Sequence, residues 1–281
     1  MRATSNSAPS AWQPDPAYFA DDGSAVIRAR DTELCLWETL DPLPPSSPHR
    51  IYLFKDRRFL SALTAILDRI VPKSMVEIGI LHGGSTIYWA ERYQLERLSA
   101  FEFAPAAPML ARYLARHGLT GKVRVHHGVS QDDAPALRAA LGADFAGEPV
   151  DAVVDDASHG FLQTRATVET LLPYVRPGGA YVIEDWAWGH AKNWPPALWS
   201  DRPLMSPLLC ELMLICGHNK GVIDRIEIDP NFAVLWRGAA PLPSDGSFRL
   251  ADHYVPRDFP LPTLNRHRPV TASISRNSRS V

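Results

Sequence analysis

The stretch Val150-Asp-Ala-Val-Val-Asp-Asp-Ala-Ser-His159 decides the fold of this chain. It begins with a short apolar, β-branched run, which is typical of a buried strand, and it ends in two carboxylates, a hydroxyl and an imidazole. A second run, Ala180-Tyr-Val-Ile-Glu-Asp185, has the same form and also ends in paired carboxylates. We expect the two strand ends to meet at one edge of a sheet.

Strand and helix patterns alternate five times around this stretch. Such alternation predicts a parallel sheet with helices on both faces. Near the C-terminus, Val222–Ile228 and Phe232–Trp236 are separated only by Asp229-Pro-Asn231, which predicts an antiparallel hairpin. The predicted fold class is therefore α/β, a doubly wound, Rossmann-like sheet of seven mostly parallel strands that ends in an antiparallel C-terminal hairpin.

The segments outside the alternation set the predicted domain limits. Residues 1–50 are rich in Ser, Pro and Asp and are expected to form a partly flexible arm and linker. Residues 51–240 are expected to hold the main domain, with a Trp-rich insertion at 186–205. Residues 241–281 form a C-terminal extension, which is expected to be a flexible tail.

Composition narrows the class of protein. The 281 residues include 29 basic and 31 acidic side chains, so the formal charge of −2 gives no reason to expect nucleic acid or an anionic membrane as a partner. We expect no membrane span. The three cysteines lack zinc spacing and fit a reducing compartment, so we expect a cytoplasmic protein. The sequence leaves the oligomeric state open, a homo-oligomer included.

Carboxylates stand at the ends of four predicted strands. In open α/β sheets, ligands bind beyond the carboxyl ends of the strands. So much like charge at one edge is costly unless cations or ligand donors compensate it. The acids are Glu77 in the first strand, Glu102 in the second, Asp155 and Asp156 in the fourth, and Glu184 and Asp185 in the fifth. Their shared position predicts a ligand and cation site at this edge.

A glycine-rich turn follows the first of these strands. Gly79, Gly83 and Gly84 lie between a predicted strand and a helix, where glycine lets the backbone turn sharply and come close to a ligand. Glu102 lies 23 residues after Gly79, where nucleotide-type folds place a ribose-binding acid. The alternatives are an ordinary tight turn and a solvated acid at a strand end.

Val76-Glu-Ile-Gly-Ile-Leu-His-Gly-Gly-Ser85 resembles the first motif of the class I S-adenosylmethionine-dependent methyltransferases. The resemblance covers roughly residues 56–237, judged by the order of motifs. The loop departs from the commoner GxGxG form. The resemblance implies S-adenosylmethionine as cofactor, and by position the implied contact residues are Glu77, Gly79, Gly83, Ser85, Glu102, Ser130, Gln131, Asp132 and Asp155.

The later motifs narrow the resemblance. Asp155-Asp-Ala-Ser-His159 together with Ile183-Glu-Asp185 is similar to a metal-dependent group that includes mycinamicin-type macrolide-sugar O-methyltransferases, rhamnosyl O-methyltransferases and cephalosporin hydroxylase-like proteins. By position, the resemblance implies that Asp156, Glu184 and Asp185 hold Mg²⁺ and that His159 is the general base. It implies a small-molecule acceptor, a hydroxyl of a sugar in a natural product or glycolipid.

Three alternatives stay open at this point. One is a catechol-type O-methyltransferase that acts on an aromatic diol, and another is a cofactor-binding pathway partner without catalysis. In a protein without catalysis, His159 would be a capping or structural histidine. A nicotinamide dehydrogenase is disfavoured by the spacing of the glycine loop. The tryptophans of the insertion would form either an aromatic wall for an acceptor or a packing and dimer contact; they are Trp186, Trp188, Trp194 and Trp199.

Overall fold

A computed structural model of the chain describes residues 18–39, 41–192 and 203–257. None of the helices in these ranges is long and apolar enough to cross a membrane. In chain order, the elements are β1 (Phe19–Ala20), β2 (Val26–Ala29), β3 (Thr32–Leu36), β4 (Arg50–Leu53), α1 (Arg57–Leu67), β5 (Ser74–Ile78), α2 (Gly84–Tyr93), β6 (Arg97–Glu102), α3 (Pro108–Arg116), β7 (Val123–His127), α4 (Ala134–Phe145), β8 (Val150–Asp155), α5 (Phe161–Leu171), β9 (Val175–Glu184), α6 (Ser206–His218), β10 (Ile223–Ile228) and β11 (Phe232–Arg237).

Seven strands form the central sheet, in the order β10-β11-β9-β8-β5-β6-β7. β11 runs antiparallel to both of its neighbours, whereas β9, β8, β5, β6 and β7 are mutually parallel. The predicted fold class and the closing hairpin are thereby confirmed. Asp155 is in register with Ile78 on one side and with Ile183 on the other, so β5, β8 and β9 end at the same level.

Alternation of side chains along the strands builds two core layers, one on each face of the sheet. In β8, Ala152 and Val154 pack into one apolar cluster, and Val153 packs into the other. All three are at most 1% exposed. Helix α1 starts at a side-chain cap, because the Asp56 side chain accepts a hydrogen bond from the Phe59 backbone N–H at 2.6 Å.

The N-terminal segment differs from the expected arm and linker. Between Phe19 and Leu53 it forms a second sheet, β1-β2-β3-β4, in which β3 and β4 pair in parallel. Phe19 and Leu34 are at most 2% exposed and join one of the two apolar clusters of the main domain. Ordered structure therefore starts well before the predicted limit at residue 51, and residues 1–17 lie outside the described part.

The C-terminal extension also differs from expectation up to residue 257. Phe248 and Leu250 are buried in the core, and the Leu250 backbone N–H donates to Glu169 Oε1 at 2.9 Å. Tyr254 donates its hydroxyl to Glu211 Oε1 at 3.1 Å. This part of the extension packs against the main domain. The tail beyond residue 257, and Trp194 and Trp199 of the insertion, lie outside the described residues.

Candidate functional site

Three predicted site residues meet where β8 and β9 end. Asp156, His159 and Asp185 each offer one ligand atom, and these atoms all lie within 4.8 Å of one another. His159 Nε2 is 3.8 Å from Asp156 Oδ1 and 3.7 Å from Asp185 Oδ2. The three side chains are 28%, 23% and 43% exposed, so the cluster is open to a ligand. We refer to Asp156, His159 and Asp185 as the edge cluster.

Asp156 is held in place by the turn that follows β5. Its backbone N–H donates to the Ile78 carbonyl at 2.8 Å. Gly79, with φ of +82°, lies so close that a Cβ on it would be 2.0 Å from the Asp156 carbonyl oxygen. Only glycine fits there, because the two backbones touch. The first predicted glycine of the loop therefore positions Asp156.

His159 and Asp185 share an uncommon backbone conformation. Their φ angles are +52° and +54°, in the left-handed region that residues other than glycine seldom adopt. Such strain persists only where the surroundings enforce it, and it concentrates at functional sites. Here the Asp185 N–H donates to the Asn231 carbonyl at 2.6 Å, and His159 directly precedes Gly160, the cap of α5. The Trp188 ring stands edge-on to the imidazole, with 6.1 Å between ring centroids.

Lys55 is a site residue that the sequence did not reveal. It lies between β4 and α1, and its Nζ donates to Asp156 Oδ2 at 2.8 Å and to Glu184 Oε2. Burial alone would lower the pKa of Lys55, but the Asp156 and Glu184 carboxylates raise it well above its ordinary value. The two carboxylates therefore favour the charged form of Lys55. No local motif marks it, because its partners are 101 and 129 residues further along the chain.

Glu184 contacts Lys55, which also contacts Asp156 of the edge cluster. It is 1% exposed, and within the described part of the chain its Oε1 has no hydrogen-bond partner. Burial and the nearby Asp156 carboxylate raise the pKa of Glu184, which Lys55 opposes. A buried carboxylate oxygen without a partner is costly. A further cation at this edge would relieve that cost.

The donor set fits a hard divalent cation. Asp156 and Asp185 supply carboxylate oxygens, which Mg²⁺ prefers, while Glu184 lies outside the group of ligand atoms within 4.8 Å of one another. Mg²⁺ takes few protein ligands and keeps several waters, so two or three carboxylates suffice. Of the predicted metal ligands, Asp156 and Asp185 lie together in the edge cluster, and Glu184 adjoins it through Lys55. The metal assignment stays a prediction.

Asp155 faces away from this cluster into the protein. Its two oxygens accept hydrogen bonds from Gln131 Nε2 at 3.2 Å and from the Tyr181 hydroxyl at 2.9 Å. Gln131 also accepts from the Ser158 N–H at 2.8 Å, which ties together the turns after β7 and β8. Burial raises the pKa of Asp155 to about 7. In this structure both residues brace the loops, and their predicted contact with the cofactor stays a prediction.

The ends of β5 and β6 form the part of the carboxyl edge that carries the glycine loop, and we call this part the glycine-loop edge. Glu102 Oε2 accepts from the N–H groups of Ile80 and Leu81 at 3.0 and 2.9 Å, and its Oε1 accepts from the Ala104 N–H at 2.8 Å. Glu77 is 1% exposed and accepts from Thr86 Oγ1 at 2.7 Å. The structure thus places both predicted cofactor acids around the turn.

The remaining predicted contacts border the same turn or the neighbouring one. A Cβ on Gly83 would lie 2.6 Å from the Leu110 side chain, so this glycine is required where α3 packs against the loop. Ser85 is buried at the start of α2. Ser130 donates to Asp132 Oδ1 in the turn after β7. These positions lie at the carboxyl edge, as predicted, and their contact with a ligand stays a prediction.

Comparison with known proteins gives the family context. Residues 76–186 match a family model described as a methyltransferase domain. A relative from Streptomyces olivaceus, 8-demethyl-8-(2-methoxy-alpha-L-rhamnosyl)-tetracenomycin-C 3'-O-methyltransferase, is 38% identical over 105 residues, which are 37% of this chain and 23% of that protein. Demethylmacrocin O-methyltransferase from Streptomyces fradiae is 30% identical over 154 residues, which are 48% of this chain and 36% of that protein. The expected resemblance to methyltransferases is confirmed for this part of the chain.

Among solved structures, the MycE methyltransferase from the mycinamycin biosynthetic pathway, in complex with Mg, SAH and mycinamycin VI, is similar in fold. The match has a TM-score of 0.50 and 23% identity, and it covers 75% of this chain and 53% of that chain. The chain spans 23% and 36% of the length of the two curated relatives above. The similarity therefore concerns the methyltransferase fold, and the relatives contain additional sequence.

Proposed function

We propose that this protein is a Mg²⁺-dependent, S-adenosylmethionine-dependent O-methyltransferase that acts on a hydroxyl of a sugar in a natural product or glycolipid. The observation that carries the proposal is the edge cluster: two carboxylates and an imidazole within 4.8 Å of one another at the carboxyl ends of β8 and β9. The named activities of the two curated relatives, which both methylate oxygen, support the reaction class. The rhamnosyl substrate in one of these names supports a sugar acceptor.

The sheet order supports one continuous site for cofactor and acceptor. β5 lies between β6 and β8 in the sheet. The Gly79 turn, which follows β5, therefore lies between Glu102 at the end of β6 and Asp156 after β8. A ligand with its ribose at Glu102 would cross the end of β5 and bring its reactive end toward the edge cluster. At the end of β5 the Gly79 and Asp156 backbones lie so close together that a side chain at position 79 would not fit.

The chemistry required is proton removal and alignment. When bound, S-adenosylmethionine supplies an electrophilic methyl group, and Mg²⁺ supplies a Lewis acid that makes a coordinated hydroxyl more acidic. Asp156 and Asp185 would hold the metal, with Glu184 as the third predicted ligand. His159 Nε2 takes the proton from the acceptor hydroxyl. The two carboxylates beside it, at 3.8 and 3.7 Å, then stabilise the imidazolium that forms.

Labelled S-adenosylmethionine tests the reaction and the metal together. Purified protein is incubated with the labelled cofactor and a panel of glycosides, catechols and cell extract, with and without EDTA. We expect label in a glycoside, abolished by EDTA and restored by Mg²⁺. Transfer to catechols alone would favour the aromatic-diol alternative. Absence of transfer, with the same product profile from a host that carries Asp156→Ala or His159→Ala, would contradict the proposal.

Calorimetry tests the cofactor independently of the acceptor. S-adenosylhomocysteine is expected to bind, whereas NAD is not, because the loop lacks dinucleotide spacing. Binding of S-adenosylhomocysteine without any methyl transfer would favour a non-catalytic cofactor-binding partner.

A further inference from the structure

Lys55 is a buried cation inside a group of acids. Its side chain is 5% exposed, and its ammonium contacts one oxygen of Asp156 and one oxygen of Glu184. On another side, Nζ lies 4.8 Å from the centroid of the Phe59 ring, a favourable cation–π distance. The ammonium is therefore enclosed by two carboxylates and an aromatic face.

The ammonium leaves other oxygens of the same carboxylates for a second cation. On Asp156 it takes Oδ2, while Oδ1 is the oxygen nearer to His159 in the edge cluster. On Glu184 it takes Oε2, while Oε1 has no hydrogen-bond partner among the described groups. Lys55 and a divalent metal in the edge cluster can thus share Asp156 without sharing an atom, and Glu184 keeps one oxygen that Lys55 does not contact.

The net charge of the site determines how strongly it attracts a divalent cation. Asp156, Glu184 and Asp185 carry three negative charges when ionised, and Lys55 reduces the sum to two, which one divalent cation neutralises. Two cations on the same carboxylate also repel one another, and the burial of Lys55 strengthens this repulsion. Without Lys55, the site would attract a divalent cation more strongly, but its acids would be unpaired whenever the metal is absent.

We propose that Lys55 is a resident cation of the metal site, which keeps Asp156 and Glu184 in place and weakens the affinity of the site for its divalent metal. This inference rests on the metal-dependent function proposed above. Lys55 acts through the two carboxylates and is a positioning residue. A purely structural ammonium would support the fold but would leave the affinity for the metal unchanged.

Metal binding by a Lys55→Met variant tests the inference. The probe is Mn²⁺, titrated by calorimetry and followed by its paramagnetic resonance, into wild-type protein and variant. We expect Kd for Mn²⁺ to tighten roughly tenfold or more in the variant, because one positive charge is removed beside the site. We also expect Mn²⁺ to raise Tm more in the variant than in the wild type. The exposed Lys73, changed to Met, is the matched control and should leave Kd unchanged.

The outcomes separate this inference from the proposed function. Mn²⁺ binding by the wild type, with equal or weaker binding by Lys55→Met, overturns the role of Lys55 alone. Binding by Lys55→Met but not by the wild type supports Lys55 as the resident cation and overturns the metal dependence of the wild-type enzyme. Binding by neither protein overturns both.

A second background keeps the test decisive if Lys55→Met fails to fold. In Glu184→Gln, one buried negative charge is removed, so loss of the lysine costs less stability. Adding Lys55→Met to Glu184→Gln must still tighten Mn²⁺ binding relative to Glu184→Gln alone. Unchanged or weaker binding in this pair contradicts the inference.

Discussion

Two parts of the carboxyl edge of the sheet, the glycine-loop edge and the ends of β8 and β9, differ in how their carboxylates are paired. At the glycine-loop edge, Glu102 receives three backbone N–H groups and Glu77 receives the Thr86 hydroxyl, so the chain itself supplies the partners. At the ends of β8 and β9, Glu184 keeps a buried oxygen without a partner among the described residues. An acid paired by its own chain fastens a loop, whereas an acid left partly unpaired indicates a place for a cation.

The largest effect on activity is expected at the ends of β8 and β9, where His159 lies. His159→Ala removes the proposed base, and we expect kcat for methyl transfer to fall by about 10²–10⁴-fold, the usual contribution of a general base. Binding of S-adenosylhomocysteine, measured by calorimetry, should be unchanged. The exposed His218, changed to Ala, serves as control. An unchanged kcat for His159→Ala would remove the catalytic distinction between the edges.

The largest effect on the free energy of unfolding is expected at Gly79, whose backbone contacts that of Asp156. In Gly79→Ala, the new Cβ would overlap the Asp156 carbonyl at 2.0 Å and the backbone would keep φ near +82°. We expect a loss of about 3 kcal/mol in the free energy of unfolding from overlap and left-handed strain. Gly128 has φ of +71° with open space around it, so Gly128→Ala should cost only about 1 kcal/mol. Equal losses in urea denaturation would show that the contact with Asp156 is not tight.

At the glycine-loop edge, Glu77 should make stability depend on pH. Burial raises the pKa of Glu77 from 4.5 to about 7. Between these values the folded chain keeps a proton that the unfolded chain has released, so this carboxyl favours folding at low pH and its contribution is lost as pH rises toward 7.

Glu77→Gln should therefore flatten the pH dependence of the free energy of unfolding, by up to roughly 3 kcal/mol across this range. Denaturation by urea at several pH values measures the effect. The exposed Glu96, changed to Gln, is the matched control. Identical pH profiles for the wild type and Glu77→Gln would mean that the acid is not held protonated.

The smallest effect is expected at Glu102. Glu102→Gln places an amide N–H₂ against a backbone N–H donor, and we expect a loss of about 1 kcal/mol in the free energy of unfolding, together with weaker binding of S-adenosylhomocysteine. Denaturation and calorimetry measure the two quantities, and the exposed Glu148, changed to Gln, is the control. A variant with wild-type stability would contradict the role of Glu102 as a loop fastener.

The central sheet and its acidic edge could be predicted because their signals are local. Apolar runs mark buried strands, and the parallel register then brings the residues after β8 and β9 to one level, which placed Asp156, His159 and Asp185 together in advance. The different environments of the neighbours Asp155 and Asp156 could not be predicted, because both carboxylates stand at the end of β8. Only the packing of Gln131 and Tyr181 turns Asp155 inward.

The N-terminal sheet escaped prediction because its strands are only two to five residues long and are interrupted by charged and proline-rich turns. Strands this short carry little periodic signal. Lys55 escaped with them. A lysine after a short strand gives no sign that it will be buried, since its burial depends on carboxylates more than a hundred residues away.

That separation along the chain also orders events during synthesis. Lys55 leaves the ribosome long before Asp156 and Glu184, which follow it by 101 and 129 residues. A nascent chain that ends before β9 therefore carries an ammonium with no acid to receive it at Glu184. The ion pair between Lys55 and Glu184 closes only once β9 has been made and has joined β8, so its formation marks the arrival of this central strand.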